Sequence, residues 1–163
     1  MKANWHLRPQ EPTVETKALA TALQIPEFTA QLLLQRKVSS RSEAVSFFNP
    51  TKEPLHNPFL MQHMDRAVRR LQQAIANQER VLLYGDYDVD GTTSVSLVSS
   101  YLKTITNHIA TYIPDRYDEG YGISFKGIDF ADDNGFSLII ALDCGIKSID
   151  HVAYAKERNI DFI

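Results

Sequence analysis

The stretch VLLYGDYDVDGTT, residues 81–93, decides the fold. Its first four residues, Val81, Leu82, Leu83 and Tyr84, form a short apolar run that reads as a buried strand. Gly85 ends the run, and three carboxylates follow on alternate positions: Asp86, Asp88 and Asp90. Like charges this close raise the free energy of a compact state unless a cation or a proton compensates them. A strand, an acidic turn and then a helix therefore point to divalent-cation chemistry at the carboxyl edge of a parallel sheet.

Three competing readings exist for these residues. Asp and Gly are turn formers, so DYDVDG also reads as a solvated turn. The spacing D-x-D-x-D-G opens like a calcium EF-hand loop, but the twelfth position counted from Asp86 is Leu97 rather than Glu, and a strand precedes it. DVDGT, residues 88–92, resembles the signature of haloacid-dehalogenase-type phosphatases. In that family the nucleophilic Asp sits at the strand end and a Ser or Thr ends the next core strand. Here a glycine and another acid precede Asp88, and a later strand ends in Asp143-Cys144-Gly145.

That later strand corroborates the first. FSLIIAL, residues 136–142, is apolar and β-branched and runs directly into Asp143. Two parallel strands that each end in carboxylate can bring their oxygens to one cleft, so Asp88, Asp90 and Asp143 are expected to converge. An all-oxygen set favours hard ions such as Mg²⁺ or Mn²⁺ over zinc. Taken alone, Asp143 reads equally as the N-cap of a helix starting near Lys147.

Around these motifs the chain divides in two. Residues 1–57 read as a helical amino-terminal segment and linker, with helices over 14–23, from Pro26 to about residue 36, and up to Phe48. Ser40 is an N-cap with Glu43 three residues on, as in a capping box. The apolar residues Leu32, Leu33, Val38, Phe47 and Phe48 read as packing. Pro50, Pro54 and Pro58 mark the linker. From Met64 onward strands alternate with helices. Helices are expected over 64–75, from about Thr92 to residue 105, over 124–131 and over 147–157. Strands are expected from Val81, over 109–113, up to Leu142 and at the chain end. This alternation predicts an α/β fold, a parallel sheet with helices on both faces, so that all the acids share one edge.

The segment YIPDRYDEGYGIS, residues 112–124, follows another strand and lies on that edge too. Arg116 is placed to meet a phosphate through a forked hydrogen bond, and Tyr117 and Tyr121 can stack on bases. The same residues also make a good turn, with Ser124 as a helix cap. Free N–H groups at a helix start near Thr92 and Thr93 can meet a phosphate, and equally these threonines can cap that helix. The five histidines show no ligand spacing, and Arg66, Arg69 and Arg70 read as a solvated basic face.

Bulk properties limit the function classes. A net charge of −3 across 163 residues excludes a broadly cationic nucleic-acid binder, so any such contact must be local. The single Cys144 excludes an internal disulfide and a cysteine-based zinc site, which fits a reducing cytoplasm. No apolar run approaches the roughly 18 residues of a membrane span. The start, MKANWHLRPQEP, lacks the apolar centre of a secretory signal.

On its motifs, GDYDVDGTT and IIALDCG, the sequence resembles the DHH phosphoesterases, and within them the RecJ-type single-strand-specific exonucleases. WHLRP, SRSEAVSFFNP, HNPFLMQHMDRAVRRL and YIPDRYDEGYGIS are also RecJ-like. The family's Asp-His-His motif follows the strand after residue 160, so the chain is expected to be an amino-terminal part, truncated before that motif and inactive alone. The resemblance implies metal-dependent hydrolysis of single-stranded DNA, 5′ to 3′, in DNA repair and recombination. It implies two Mn²⁺ or Mg²⁺ ions in the complete protein, and DNA-repair proteins as partners. It makes Asp143 the bridging ligand and Asp88 and Asp90 terminal ligands, with Asp86 a weaker candidate. Arg116, Thr92, Thr93 and Tyr121 remain, from the reading of their own segments, the residues expected to touch substrate. The alternatives are a DHH phosphoesterase acting on short oligonucleotides or cyclic dinucleotides, and an inert structural module.

Overall fold

A computed structural model describes residues 3–6, 12–52 and 54–163. The WHLRP likeness at residues 5–9 falls largely outside the described residues. Two compact units are present, Met1–Asn57 and Pro58–Ile163.

In the first unit, helices α1 (Val14–Leu23), α2 (Glu27–Gln35) and α3 (Arg41–Phe48) enclose a small core of Leu19, Ala20, Ala30, Leu33, Val38 and Ala44. The α3 start is a reciprocal capping box. Ser40 Oγ accepts from Glu43 N–H at 3.2 Å, and Glu43 Oε2 accepts from Ser40 N–H at 3.0 Å. Leu32, Phe47 and Phe48, expected as packing residues, are instead 45%, 49% and 58% exposed. Three short helices have too little inner surface to cover every apolar side chain their sequence carries.

The second unit runs α4 (Met64–Ala76), β1 (Arg80–Gly85), α5 (Val89–Leu102), β2 (Ile109–Tyr112), α6 (Phe125–Asp133), β3 (Phe136–Leu142), α7 (Ile149–Glu157) and β4 (Asp161–Phe162). All strand pairs are parallel, in the order β2-β1-β3-β4. Because side chains alternate along a strand, β1 feeds two cores. Leu82 and Tyr84 join Ile128, Ala131 and Ala155 of α6 and α7; Val81 and Leu83 join Ala74, Val95 and Leu102 of α4 and α5. Val81, Leu82 and Leu83 are at most 1% exposed. Burial on this scale contributes roughly 1.5–3 kcal/mol per large apolar side chain, which anchors β1 as the sheet's centre.

The strand order has a direct consequence for the site. The chain leaves β1 for β2 on one flank, then returns to lay β3 against β1's other flank. The carboxyl ends of β1 and β3 therefore flank the point where the topology reverses, the usual location of a ligand crevice in open α/β sheets. Gly85 pairs with Leu142, so Asp86 and Asp143 are each the first residue beyond a paired strand end.

Two further sequence expectations are corrected. Helix α5 begins at Val89, not near Thr92, because Asp88 supplies the cap. Arg70 is not solvated: it bridges Glu79 at 2.7 Å and pairs with Asp161, tying α4 to the β4 edge, while Arg69 pairs with Asp65 on the exposed face. Helical spacing shows which residues share a face, but the partners here lie nine and 91 positions away.

Candidate metal centre

The β1–α5 turn is shaped by its glycines. A Cβ at Gly91 would lie 2.4 Å from the Asp86 carbonyl oxygen and 2.6 Å from its nitrogen. A Cβ at Gly85 would lie 2.4 Å from a Val95 methyl group. Only glycine lets the first turn of α5 close this tightly over the end of β1. Asp88 caps that turn, its Oδ1 accepting the Gly91 N–H at 2.9 Å.

Pressed beneath the turn, Asp86 is fully buried at 0% exposure. Its Oδ1 accepts the N–H of Tyr87 at 2.8 Å, and its Oδ2 has no hydrogen-bond partner among the described residues. A buried, unpaired carboxylate oxygen is expensive, on the order of 1–3 kcal/mol or more for a charged group. Tyr121 approaches the same carboxylate. Its polar contact with Asp86, then the charges of Asp86, Asp88 and Asp143, raise the tyrosine's pKa. Asp90 sits exposed in the first turn of α5, where the helix dipole favours a negative charge.

Across the crevice, Asp143 adopts the left-handed conformation at φ 59° and is exposed. Its pKa is raised, first by lost hydration and then by repulsion from Asp88, Asp90 and Asp86. The paired strand ends put Asp86 and Asp143 on one edge, and Asp88 and Asp90 lie in the turn and helix start directly after Asp86. Among the described residues, however, no three His, Cys, Asp or Glu side chains are gathered closely enough to hold a metal ion as they stand. The expected convergence is thus one of edge and field, not of ligand geometry. Local donors explain the spread, since Asp88 is held by its cap and Asp86 by Tyr87 N–H.

The donor chemistry nonetheless fits a hard divalent cation. The acids supply oxygen only, one buried oxygen lacks a partner, and mutual repulsion is what a cation relieves. Asp88 Oδ1 takes the cap and leaves the other carboxylate oxygen to point elsewhere.

The substrate candidates divide. Thr92 and Thr93 do not offer their groups to the crevice. The Thr92 N–H donates to the Asp88 carbonyl at 3.0 Å, and both hydroxyls donate back to carbonyls of α5's first turn. Arg116 and Tyr121 do reach the acidic turn, through a residue the sequence reading passed over. The guanidinium carbon of Arg116 lies 5.3 Å from the Tyr87 ring centroid, and Tyr121 meets that ring edge-on at 5.9 Å. Tyr117 is 93% exposed. Beside Asp143, a cleft of about 590 Å³ is lined by Tyr121, Cys144, Lys147 and Ser148.

The 113–124 loop is fixed from behind by a second group that sequence reasoning missed. The Glu119 carboxylate accepts from Tyr112 Oη at 2.9 Å, from Asp115 N–H at 2.8 Å and from Ser124 Oγ. Burial opposes the charge on Glu119, but these donors outweigh it and hold the pKa below the ordinary carboxylate range. Buried Tyr84 donates to the Gly122 carbonyl at 3.1 Å and accepts Ser124 N–H at 3.1 Å; burial pushes its pKa up to about 12. The one available signal was Tyr84 itself, a hydroxyl in an otherwise apolar strand, which must find a partner when buried.

The chain is an α/β protein with carboxylates on both sides of its sheet's topological reversal, and the comparisons with known proteins give its family. Residues 80–163 match the family model described as the DHH family, N-terminal domain, and the chain belongs to that family. It is 37% identical over 163 residues to the single-stranded-DNA-specific exonuclease RecJ of Bacillus subtilis (strain 168), covering 99% of this chain and 20% of the relative. It is 32% identical over 111 residues to the RecJ of Haemophilus influenzae, covering 68% and 19%. The chain thus spans about a fifth of the length of these curated relatives. A crystal structure of exonuclease RecJ bound to manganese superposes with a TM-score of 0.60 at 25% identity, over 67% of this chain and 28% of that one. RecJ from Thermus thermophilus in complex with Mn²⁺ shares the fold, with a TM-score of 0.64 at 18% identity over 93% and 20%. Among the described residues no helix is long and apolar enough to cross a membrane.

Proposed function

We propose that the natural protein carrying this chain is a metal-dependent exonuclease that hydrolyses phosphodiester bonds of single-stranded DNA, working 5′ to 3′ in DNA repair and recombination in the cytoplasm. The observation that carries this reading is the pair of acidic turns at the β1/β3 reversal, with the buried, unpartnered Oδ2 of Asp86 behind them. Asp88, Asp90 and Asp143 would hold Mn²⁺ or Mg²⁺, in a two-metal centre completed by residues elsewhere in the protein, and Asp86 would support them from beneath. Bound there, divalent cations offset the negative charge that builds on the attacked phosphate.

This chain's own groups have separate tasks. Asp143, whose proton affinity is raised by lost hydration and then by its acidic neighbours, gains from a nearby positive charge. Arg116, laid on Tyr87, offers a planar fork to phosphate oxygens. Tyr121 presents an exposed ring to a base. Asp90→Asn in the natural protein tests the reading, because it removes a charge without adding bulk. Loss of at least about a hundredfold in turnover on single-stranded DNA is expected, on the scale of removing one electrostatic contributor to a transition state. Undiminished hydrolysis would overturn the assignment, and preferential cleavage of dinucleotides over long single strands would redirect the substrate class.

A further inference from the structure

Arg116 lies on the loop that follows β2, at the sheet edge that carries the acidic turns, and among the described residues it forms no ion pair with any carboxylate. Its guanidinium lies instead over the face of Tyr87, 5.3 Å from the ring centroid. Tyr87 is the residue between Asp86 and Asp88, and its backbone N–H donates to Asp86 Oδ1 at 2.8 Å, so its backbone belongs to the acidic turn. Tyr121 packs edge-on against the same ring at 5.9 Å. The loop carrying Arg116 and Tyr121 is held by Glu119 and Tyr84, and Asp115 Oδ1 closes the turn under Arg116 by accepting the N–H groups of Tyr117 at 2.8 Å and Asp118 at 3.1 Å.

We propose that Tyr87 is a positioning residue: its ring racks the Arg116 guanidinium at the rim of the acidic crevice, keeping it off the carboxylates and open to a substrate phosphate. The proposal rests on the function given above. A free arginine beside an acidic cluster collapses into a salt bridge, which would neutralise both the cation that meets the phosphate and the carboxylates that meet the metal. Stacking on an aromatic face holds a guanidinium without consuming its N–H donors, because the ring contacts the plane and leaves the edge free. The Tyr87 hydroxyl has no described hydrogen bond, so the ring alone carries the role and phenylalanine should suffice.

The test has two arms. In the 163-residue chain, nitrogen-edited NMR of arginine side chains should show the Arg116 Nε–H resonance shifted upfield by the ring current. Tyr87→Leu should abolish the shift, and Tyr87→Phe should retain it. In the natural protein acting on single-stranded DNA, Tyr87→Leu should raise KM roughly three- to tenfold with little change in kcat, the signature of lost uniform binding. Arg116→Ala should do at least as much, the double variant no more than Arg116→Ala alone, and Tyr87→Phe should recover most of the loss. An unshifted Arg116 resonance, an unchanged KM in Tyr87→Leu, or additive effects in the double variant would each overturn the proposal. If Asp90→Asn still abolishes turnover in that assay, the failure lies with the rack and not with the metal-dependent hydrolase.

Discussion

The two acidic turns that face each other across the crevice are built on opposite principles. The β1–α5 turn is closed: Gly85 and Gly91 let backbone touch backbone, Asp88 caps the helix, and Asp86 is buried. The β3–α7 turn is open. Asp143 is exposed in a left-handed conformation, Gly145 follows at φ 97°, and Ile146 is 98% exposed. One side of the site is thus fixed by packing, and the other has room to adjust. A centre assembled from a rigid half and a yielding half can hold its charges apart and still draw them together around a cation.

The sharpest way to break this contrast is to add one methyl group to each side. Gly91→Ala forces a Cβ against the Asp86 backbone, and we expect destabilisation of about 3 kcal/mol or more, or failure to fold, in urea titration. In Gly145→Ala the nearest atoms to the new Cβ belong to the side chains of Ile123, at 3.3 Å, and Ala141, at 3.6 Å, and the residue must hold a positive φ. About 1–2 kcal/mol is expected there. Equal losses at the two positions would remove the distinction.

Next in size is the support behind the crevice. Glu119→Ala leaves the donors of Tyr112, Asp115 and Ser124 without their acceptor and should lower stability by about 2 kcal/mol, with Glu119→Gln intermediate. Because the folded pKa of Glu119 is depressed, its contribution is present above the ordinary carboxylate pKa of about 4.3 and is lost as pH falls through the lower folded value. The stability gap between wild type and Glu119→Gln should therefore narrow at acid pH; a gap independent of pH would contradict the assigned network.

The smallest effect expected is on the open rim of α5. Asp90→Asn relieves repulsion but forfeits a favourable helix-dipole contact, so thermal stability should change by no more than about 0.5 kcal/mol in either direction. A large loss would make Asp90 a structural residue.

How much of this was legible depended on range. The parallel α/β plan, the two strands ending in acid and the Ser40–Glu43 capping box are written in neighbouring residues, and each formed. Arg116 and Tyr121 were placed at the right edge because their segment follows a strand. Helix α5 starts at Val89 rather than near Thr92 because Asp88, a ligand or turn candidate by sequence, is also among the strongest N-cap residue types. The burial of Asp86, the Tyr87 contacts, the Glu119 staple and the Arg70 bridge depend on residues brought together by the sheet order, which periodicity does not encode.

Paramagnetic broadening by Mn²⁺ tests the central claim most directly. As the 163-residue chain is titrated, the backbone amides of Asp86, Asp88, Asp90, Asp143 and Gly145 should broaden together, half-maximally in the high micromolar range or above, because three or four carboxylate oxygens fall short of the about six ligands that Mn²⁺ prefers. Mg²⁺ should compete the effect away. Broadening confined to one turn, or appearing first at the acidic end of α6 around Asp132 and Asp133, would show that the two turns do not form one cation centre.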